Sequence, residues 1–498
     1  MGVQQPIRAT QDFLSEEHDL IIGGKIVRGS GEPIAVIDPA TGDEVARTSS
    51  ASADDVNRAV AAARQSFEDG RWRGLPADER RRILWRFADL IQENAEKLAH
   101  LEVVDNGMPL AFAQWEANSC ESWTRHFAGE ATRIFGRDAS SAMSGGGVDM
   151  QSYTIVQPVG VVALVIPWNA PAGTFIIKVA PALAAGNSVV VKPAENTPLS
   201  ALLLGKLALE AGIPDGVLNV IPGYGPVAGQ ALADHPDVDK ISFTGSTMTG
   251  KKIVQSSAGN LKRVTLELGG KSPAIVCADA DIEKSIPQVA MAIFANTGQV
   301  CFAGSRLYVH SSVYDQVVEG VAEFAKNLKV GSGFDPDNLL GPLISQAQHE
   351  KVLGYLEKGR QAGASVVTGG SRVGDRGFFL EPTIFADISQ DMAISREEIF
   401  GPVLVATRFD DIDEVVKLAN DTRYGLGSGI FTRSVNKAHL IARRIDAGNV
   451  WINCYGTVHP SMPFGGFKES GWGREMGSEV MDAFTETKSV FIQLDPEG

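Results

Sequence analysis

Two short stretches carry groups able to perform acyl transfer. Leu266-Glu267-Leu268-Gly269-Gly270-Lys271 sets a carboxylate beside a glycine pair, and Gly298-Gln299-Val300-Cys301 follows, its cysteine 34 residues after Glu267. A thiolate can attack a carbonyl, and a base can then activate water to release the acyl group. Each group also has a plainer explanation. A cysteine in a globular chain is most often a small buried hydrophobe, and Glu267 would suit a solvated strand end. The elements around them decide between these.

From 159 to 267 apolar runs alternate with helix-like stretches. Runs at 159–166, 188–191, 217–221, 241–243 and 264–266 read as buried parallel strands, with helices at 172–185, 199–211, 226–234 and 247–257. That rhythm predicts βαβ units in a doubly wound sheet. Ligands of such sheets sit at the carboxyl ends of the strands. Those ends carry Pro167-Trp168-Asn169, Lys192-Pro193-Ala194-Glu195, Gly223-Tyr224-Gly225, Thr244-Gly245-Ser246-Thr247 and Glu267. The set fits a dinucleotide. Lys192 and Glu195 offer a donor and a carboxylate to ribose hydroxyls, and the carboxylate favours NAD over NADP by repelling a 2'-phosphate. Gly245-Ser246-Thr247 opens a helix whose N–H groups can hold a pyrophosphate. Plainer alternatives stand beside these: Lys192-Pro193 suits a strand end, and Ser246 suits an N-cap. Gly225 and Gly229, in Gly223-x-Gly225-x-x-x-Gly229, carry one residue too many for the usual fingerprint.

Upstream, short strands at 20–22 and 35–37 precede helices. Ser52 and Asp55 have capping-box spacing, and Val56, Ala59, Val60, Ala63 and Phe67 follow at helical intervals. A helix opens near Pro76, and another at 111–132 carries Phe112, Trp115, Trp123 and Phe127, all expected in the core. Residues 140–147 (SSAMSGGG) read as a flexible boundary, followed by an exposed strand at 150–156. A second α/β region has strands at 272–276, 307–309, 402–406, 428–431 and 450–452, with helices at 312–328, 346–362, 412–420 and 434–446. The terminal strand at 488–493 needs a partner, either at 150–156 or on another subunit.

At 498 residues the chain is too long for one core, and about three domains are expected. A formal charge of -15 argues against nucleic-acid or anionic-membrane partners. Cys120, Cys277, Cys301 and Cys454 are scattered without metal-ligand spacing, so neither a metal site nor a disulfide framework is expected. Such usage suits a reducing compartment. No apolar run reaches the ~18 residues that cross a bilayer, and Asp12, Glu16, Glu17 and Asp19 oppose a transit peptide. A soluble, cytoplasmic protein is the expectation.

The motifs IPWNAP (166–171), KPAENTP (192–198), FTGST (243–247), LELGGKSP (266–273), GQVC (298–301), EEIFGPV (397–403), GNVWIN (448–453) and PFGGFKESG (463–471) occur in that order. With them the chain resembles the NAD(P)-dependent aldehyde dehydrogenases of the hydrolytic, non-CoA-acylating type. The resemblance implies that Cys301 is the nucleophile, forming a thiohemiacetal and then a thioester. The Asn169 amide and the Cys301 N–H would form the oxyanion hole. Glu267 would activate the hydrolytic water and take the thiol proton, with Lys178 and Glu475 relaying protons from it. For NAD, it implies Lys192 and Glu195 at the adenosine ribose, Ser246 at the pyrophosphate, and Glu398 and Phe400 at the nicotinamide ribose and ring. Ile166, Pro167, Trp168, Gly225, Gly229, Phe243, Gly245 and Leu268 would complete that cleft.

The implied fold is α/β in three parts. A doubly wound parallel-sheet cofactor domain spans 1–139 and 159–268, with 470–485 returning to it. An α/β catalytic domain spans 269–469, and a small β oligomerisation element comprises 140–158 and 486–498, so a homodimer or homotetramer follows. Departures bear on substrate. Ala170 and Ile177 stand where narrow-pocket relatives carry aromatics, whereas Phe302, Trp451 and Phe464 keep aromatic positions. The loop 455–460 holds His459 but no Arg or Lys. A roomy, mainly apolar tunnel for medium-to-bulky uncharged aldehydes, aliphatic or aromatic, is expected. Two alternatives remain: a CoA-acylating semialdehyde dehydrogenase, which gains nothing from a base at Glu267, and a non-catalytic binding protein on the same fold. A cysteine hydrolase without nicotinamide leaves the run from Lys192 to Ser246 unexplained.

Overall fold

The computed structural model describes residues 5–143 and 149–494. Two mainly parallel sheets with antiparallel edges, each packed with helices, form the body of the fold. The first has eight strands in the order Gly471–Trp472, Arg263–Glu267, Lys240–Thr244, Val161–Val165, Ser188–Lys192, Leu218–Val220, Leu20–Ile22, Lys25–Val27. Its five central strands run parallel, and the edge pairings are antiparallel. Every residue of Val161–Val165 and Ser188–Lys192 is buried, as expected for strands covered on both faces.

The chain leaves Val161–Val165 toward Ser188–Lys192 and Leu218–Val220, then crosses back to Lys240–Thr244 on the other side. The strand order therefore reverses beside Val161–Val165. Adjacent crossovers lie on opposite faces there, and a crevice opens at the carboxyl ends. Ile166 to Asn169 and Thr244 to Ser246 leave the sheet at that point.

The second sheet has seven strands, in the order Ser365–Thr368, Thr383–Ala386, Val403–Phe409, Arg306–His310, Pro273–Val276, Gly427–Phe431, Asn449–Ile452. The five residues 268–272 join it to the first, so Glu267 stands at the junction of the two sheets. Asp149–Pro158 pairs antiparallel with Thr485–Leu494 along its whole length, the pairing anticipated for the terminal strand.

The helix at Ala53–Glu68 carries the expected capping box, with the Ser52 hydroxyl accepting from Asp55 N–H and the Asp55 carboxylate accepting from Ser52 N–H. Among helices of seven or more residues, three escaped the sequence pattern: Arg8–Leu14, Ala95–Asp105 and Ile282–Phe294. In Ala95–Asp105 every residue from Leu98 onward is buried, which erases the one-sided apolar stripe that marks an amphipathic helix. Ile282–Phe294 contains Pro287, normally a helix breaker. The segment read as one helix at 226–234 is a π-turn, Gly225–Gly229, running into a short helix, Gln230–Asp234. Within the Gly/Ser stretch, Ser140–Met143 form a helical turn, and 144–147 lie outside the described residues.

Candidate active site

Cys301 is reached through a strained segment. Helix Ile282–Phe294 passes into Ala295–Gly298, where Asn296, Thr297 and Gly298 all have positive φ (46°, 57° and 70°). Left-handed backbone at non-glycine residues costs energy and persists only where neighbours hold it. Here Thr297 Oγ1 donates to Gly341 O at 2.9 Å, Asn296 Nδ2 donates to Asn169 O at 2.9 Å, and Gln299 Oε1 accepts from Ile344 N–H at 2.9 Å. A Cβ at Gly298 would lie 2.1 Å from Gly401 O, so only glycine fits.

Two cavities meet at Cys301. The larger, about 350 Å³, is walled by Phe112, Trp115, Trp123, Phe302, Tyr455 and Phe464, with Ala170, Ile177, Met291, Val300, Val458 and Met476 between them. The smaller, about 200 Å³, opens at the reversal point of the first sheet. Pro167, Trp168, Gly245, Ser246, Leu268, Glu398 and Phe400 line it, together with Gln348 and Lys351. Five residues belong to both walls: Pro167, Asn169, Thr244, Glu267 and Cys301. The thiol, the amide and the carboxyl singled out in the sequence are thus brought to the passage between the cavities.

Burial raises the Cys301 thiol far above its ordinary value, and the nearby Glu267 and Glu398 carboxyls raise it further. Burial likewise lifts Glu267 well above the usual carboxylate range; Glu475 adds to this, while Lys178 and Arg474 oppose it. A buried acid of this kind is a stronger base once ionised. Glu267 Oε2 and Thr244 Oγ1 are buried with no hydrogen-bond partner among the described residues. Asn169 Nδ2 donates to Gln299 O at 2.9 Å, leaving one amide hydrogen for another acceptor. Lys178 and Glu475 form a buried ion pair, and Lys178 Nζ also donates to Ser242 Oγ at 2.8 Å. Glu475 borders the larger cavity.

The glycine pair after Glu267 has a steric cause. A Cβ at Gly269 would lie 2.1 Å from Glu398 Oε2, and one at Gly270 would lie 2.4 Å from Cys301 O. Gly270 N–H donates to Glu398 Oε1 at 2.9 Å. Burial nevertheless keeps the Glu398 carboxyl above its ordinary value. Phe400 has φ 59° and meets Trp168 edge-on at 5.2 Å.

Lys192 and Glu195 stand farther along the same sheet edge. Lys192 Nζ donates to Pro193 O at 2.7 Å and Gly223 O at 2.8 Å, and lies 3.7 Å from Glu195. Gly225 opens the π-turn, and Gly229 closes it beside the Lys192 stem. Ile166 and Phe243 are core residues of the first sheet; the Phe243 ring lies beneath Gly245, where a Cβ would come within 2.5 Å of it. The smaller cavity fits a dinucleotide end: glycine lets a ligand approach the backbone at Gly245, and Ser246 caps helix Thr247–Ser257.

Three expectations are corrected. Phe112 and Trp115 were assigned to the core but wall the larger cavity, with Trp115 47% exposed; Trp123 is buried and also faces it. Helix Leu110–Glu130 has two apolar faces, and spacing alone does not tell a core face from a cavity face. Trp451 does not border the cavity. It packs behind Phe302 at 5.3 Å and donates from Nε1 to Thr457 O at 2.8 Å. His459 is exposed, its Nδ1 paired with Ser461 Oγ at 2.6 Å, and it too stays outside the wall. Met291, Gln348 and Lys351 were not foreseen, whereas Tyr455, expected only as part of the loop 455–460, lines the larger cavity. Tyr455 donates to Phe302 O at 2.6 Å, beside the nucleophile. Among the described residues no His, Cys, Asp or Glu cluster could hold a metal, and no helix is long and apolar enough to cross a membrane.

Comparison with known proteins agrees over almost the whole chain. A model of the Aldehyde dehydrogenase family matches residues 26–490. Benzaldehyde dehydrogenase, mitochondrial, of Antirrhinum majus is 45% identical over 497 residues, 99% of this chain and 92% of that protein. The NAD+ complex of an aldehyde dehydrogenase from Bacillus cereus superposes with TM-score 0.96 at 43% identity, covering 99% of this chain and 100% of that one. The indole-3-acetaldehyde dehydrogenase AldA of P. syringae, in complex with NAD+ and IAA, gives TM-score 0.94 at 40% identity, covering 97% and 98%. The doubly wound sheet, the second α/β sheet and the exposed ribbon are the fold of these enzymes, and the chain belongs to the aldehyde dehydrogenase family.

Proposed function

We propose that the protein oxidises an aldehyde to the carboxylic acid with NAD+, through a thioester on Cys301 that water resolves. The observation that carries this reading is the shared wall: Asn169, Glu267 and Cys301 stand where an apolar tunnel meets the crevice at the sheet's reversal point. In this reading 1–139, 159–268 and 470–485 bind the cofactor, and 269–469 carries the nucleophile.

Glu267, as carboxylate, takes the thiol proton, and the sulfur adds to the aldehyde carbon. The negative charge that then appears on oxygen is met by the free Asn169 amide hydrogen and the Cys301 N–H, which interact with it more strongly than with the ground-state carbonyl. Glu398 and Phe400 would hold the nicotinamide end of NAD+ and Lys192 and Glu195 its adenosine ribose; the cofactor would accept the hydride released from the tetrahedral carbon as its oxyanion collapses to the thioester. Glu267 then draws a proton from water as it attacks the thioester. Glu475 and Lys178 provide an outlet for both protons, the thiol's before water is activated and water's afterwards, since Glu475 shares the cavity wall and is paired with Lys178.

The substrate class follows from the tunnel. Its six aromatic rings and largely aliphatic remainder suit a bulky uncharged aldehyde, aromatic ones included, and no Lys or Arg lines it. The preferences of benzaldehyde and indole-3-acetaldehyde dehydrogenases, as named, lie in that range. The test is a panel of aldehydes of graded size followed at the reduced-nicotinamide band, with NAD or NADP and with or without CoA. Oxidation of arylaldehydes with NAD and no CoA is expected; a strict CoA requirement would overturn the hydrolytic reading. Cys301→Ala should abolish oxidation while NAD binding, read by tryptophan quenching, persists.

A further inference from the structure

Beside the loop that carries Asn169 lies a pair of buried carboxyls for which the mechanism has no use, one of which, Glu116, also borders the larger cavity. Glu102, on helix Ala95–Asp105, accepts at Oε1 from Ala172 N–H at 3.0 Å and from Ser200 Oγ at 2.9 Å. Glu116, on helix Leu110–Glu130, accepts at Oε1 from Gly173 N–H at 2.7 Å. Both residues are almost fully buried. Ala172 and Gly173 form the first turn of Pro171–Ala185, the helix entered directly from Asn169. The rest of the loop is tied down as well: Asn106 Nδ2 donates to Trp168 O, and Asn296 Nδ2 donates to Asn169 O. Glu102 Oε2 is buried with no hydrogen-bond partner among the described residues, an expensive state for a charged carboxylate oxygen.

We propose that Glu102 and Glu116 are a proton-sharing positioning pair, which clamps the first turn of helix Pro171–Ala185 and thereby holds the Asn169 amide against the oxygen of the attacked carbonyl. Two adjacent buried carboxyls cannot both ionise. The other titratable groups facing them, Asp105 and the Cys120 thiol, add no positive charge. Burial drives Glu102 well above the ordinary carboxylate range, with Glu116 and Asp105 reinforcing it. Burial also lifts Glu116 to about 7, against the Gly173 N–H and a hydrogen bond with Glu102. The shared proton is placed on Glu102, so that Glu116, which receives the helix N–H, is the member that ionises as pH rises through about 7. The carboxylate thus lies at the positive end of the helix dipole.

The inference rests on Asn169 serving the oxyanion, and the test separates the two claims. Glu116→Leu is expected to lower kcat for aldehyde oxidation about tenfold or more with NAD affinity unchanged. In an Asn169→Ala background the same substitution should cost almost nothing, because the amide it positions is gone. An undiminished loss there would overturn the positioning role and leave the oxyanion assignment standing. Full activity of Asn169→Ala alone would sink the oxyanion assignment, and the pair's role with it. A second measurement covers a Leu variant that fails to fold. Glu116 has a raised folded-state value, so its contribution to stability is fully present below 4.5 and is lost as pH rises toward about 7. Glu116→Gln keeps the acceptor for the Gly173 N–H but cannot titrate, so its melting temperature should fall less than wild type across that window; a wild-type slope would overturn the shared proton.

Discussion

At the scale of single residues, the site sets a thiol and a carboxyl in surroundings that oppose their charged forms. Burial raises both Cys301 and Glu267, and the Glu267 carboxylate further disfavours ionisation of the thiol. Only one negative charge is therefore held at the passage at a time, which suits a proton moving from sulfur to carboxylate as the sulfur attacks. Glu267→Gln should give a slowed single burst of NADH, because the thiol loses its base, and then stall, with steady-state turnover down about 10²–10⁴-fold, the usual worth of a general base. Rapid-mixing absorbance reads the burst, and full turnover would remove Glu267 from its role. The pH sign is defined as well. Since the Glu267 carboxyl is raised and must be ionised to act, thioester hydrolysis should climb with pH above the ordinary carboxylate range, and Glu267→Gln should lose that limb.

At the scale of elements, helix Leu110–Glu130 does two jobs with one apolar surface. Ala113, Cys120 and Phe127 pack into the core, while Phe112, Trp115 and Trp123 wall the tunnel. Phe112 stacks on Trp115 at 5.4 Å, and Trp115 meets Trp123 edge-on at 6.3 Å, so the three rings form a continuous panel. Half-exposed Trp115 is not needed to fill the core. Trp115→Ala should leave the melting temperature nearly unchanged and shift kcat/KM between short aliphatic and bulky aryl aldehydes by about 10–200-fold, the range set by one contact in an apolar pocket. An unchanged ratio would show that substrates do not reach this panel.

At the scale of the whole molecule, the ribbon of Asp149–Pro158 and Thr485–Leu494 is built to be covered. A two-stranded ribbon has little stability of its own, yet this one carries Ile155, Phe491, Ile492 and Leu494 exposed, Phe491 at 60%. Exposed apolar residues on a free strand edge favour association with another chain. We expect a homo-oligomer that buries this ribbon. Ile155→Glu combined with Phe491→Glu should lower the particle mass measured by light scattering while the first sheet, and NAD binding with it, stays intact. A wild-type mass would move the interface elsewhere.

Much of this was legible without coordinates, for local physical reasons. The five central strands of the first sheet announce themselves because burial on both faces demands continuous apolar runs, and the groups at their carboxyl ends follow from chain direction alone. Glu267, Cys301 and Asn169 stand out because their motifs are short and contiguous. Helix Ala95–Asp105 stayed hidden because burial all round leaves no periodicity, and with it went Glu102 and Asn106, which hold the Asn169 loop. Aromatic spacing on Leu110–Glu130 could not separate core from tunnel, since both want the same side chains. Trp451 and His459 lie near the tunnel in sequence motifs, but their side chains turn to Thr457 and Ser461. Residue type and order thus determined which chemistry is available and which strand ends carry it. Which side chains share a cavity was settled only when segments as far apart as 102, 116, 169, 267, 301 and 475 packed together, because cavities are made by contacts between distant parts of the chain, and no local pattern records them.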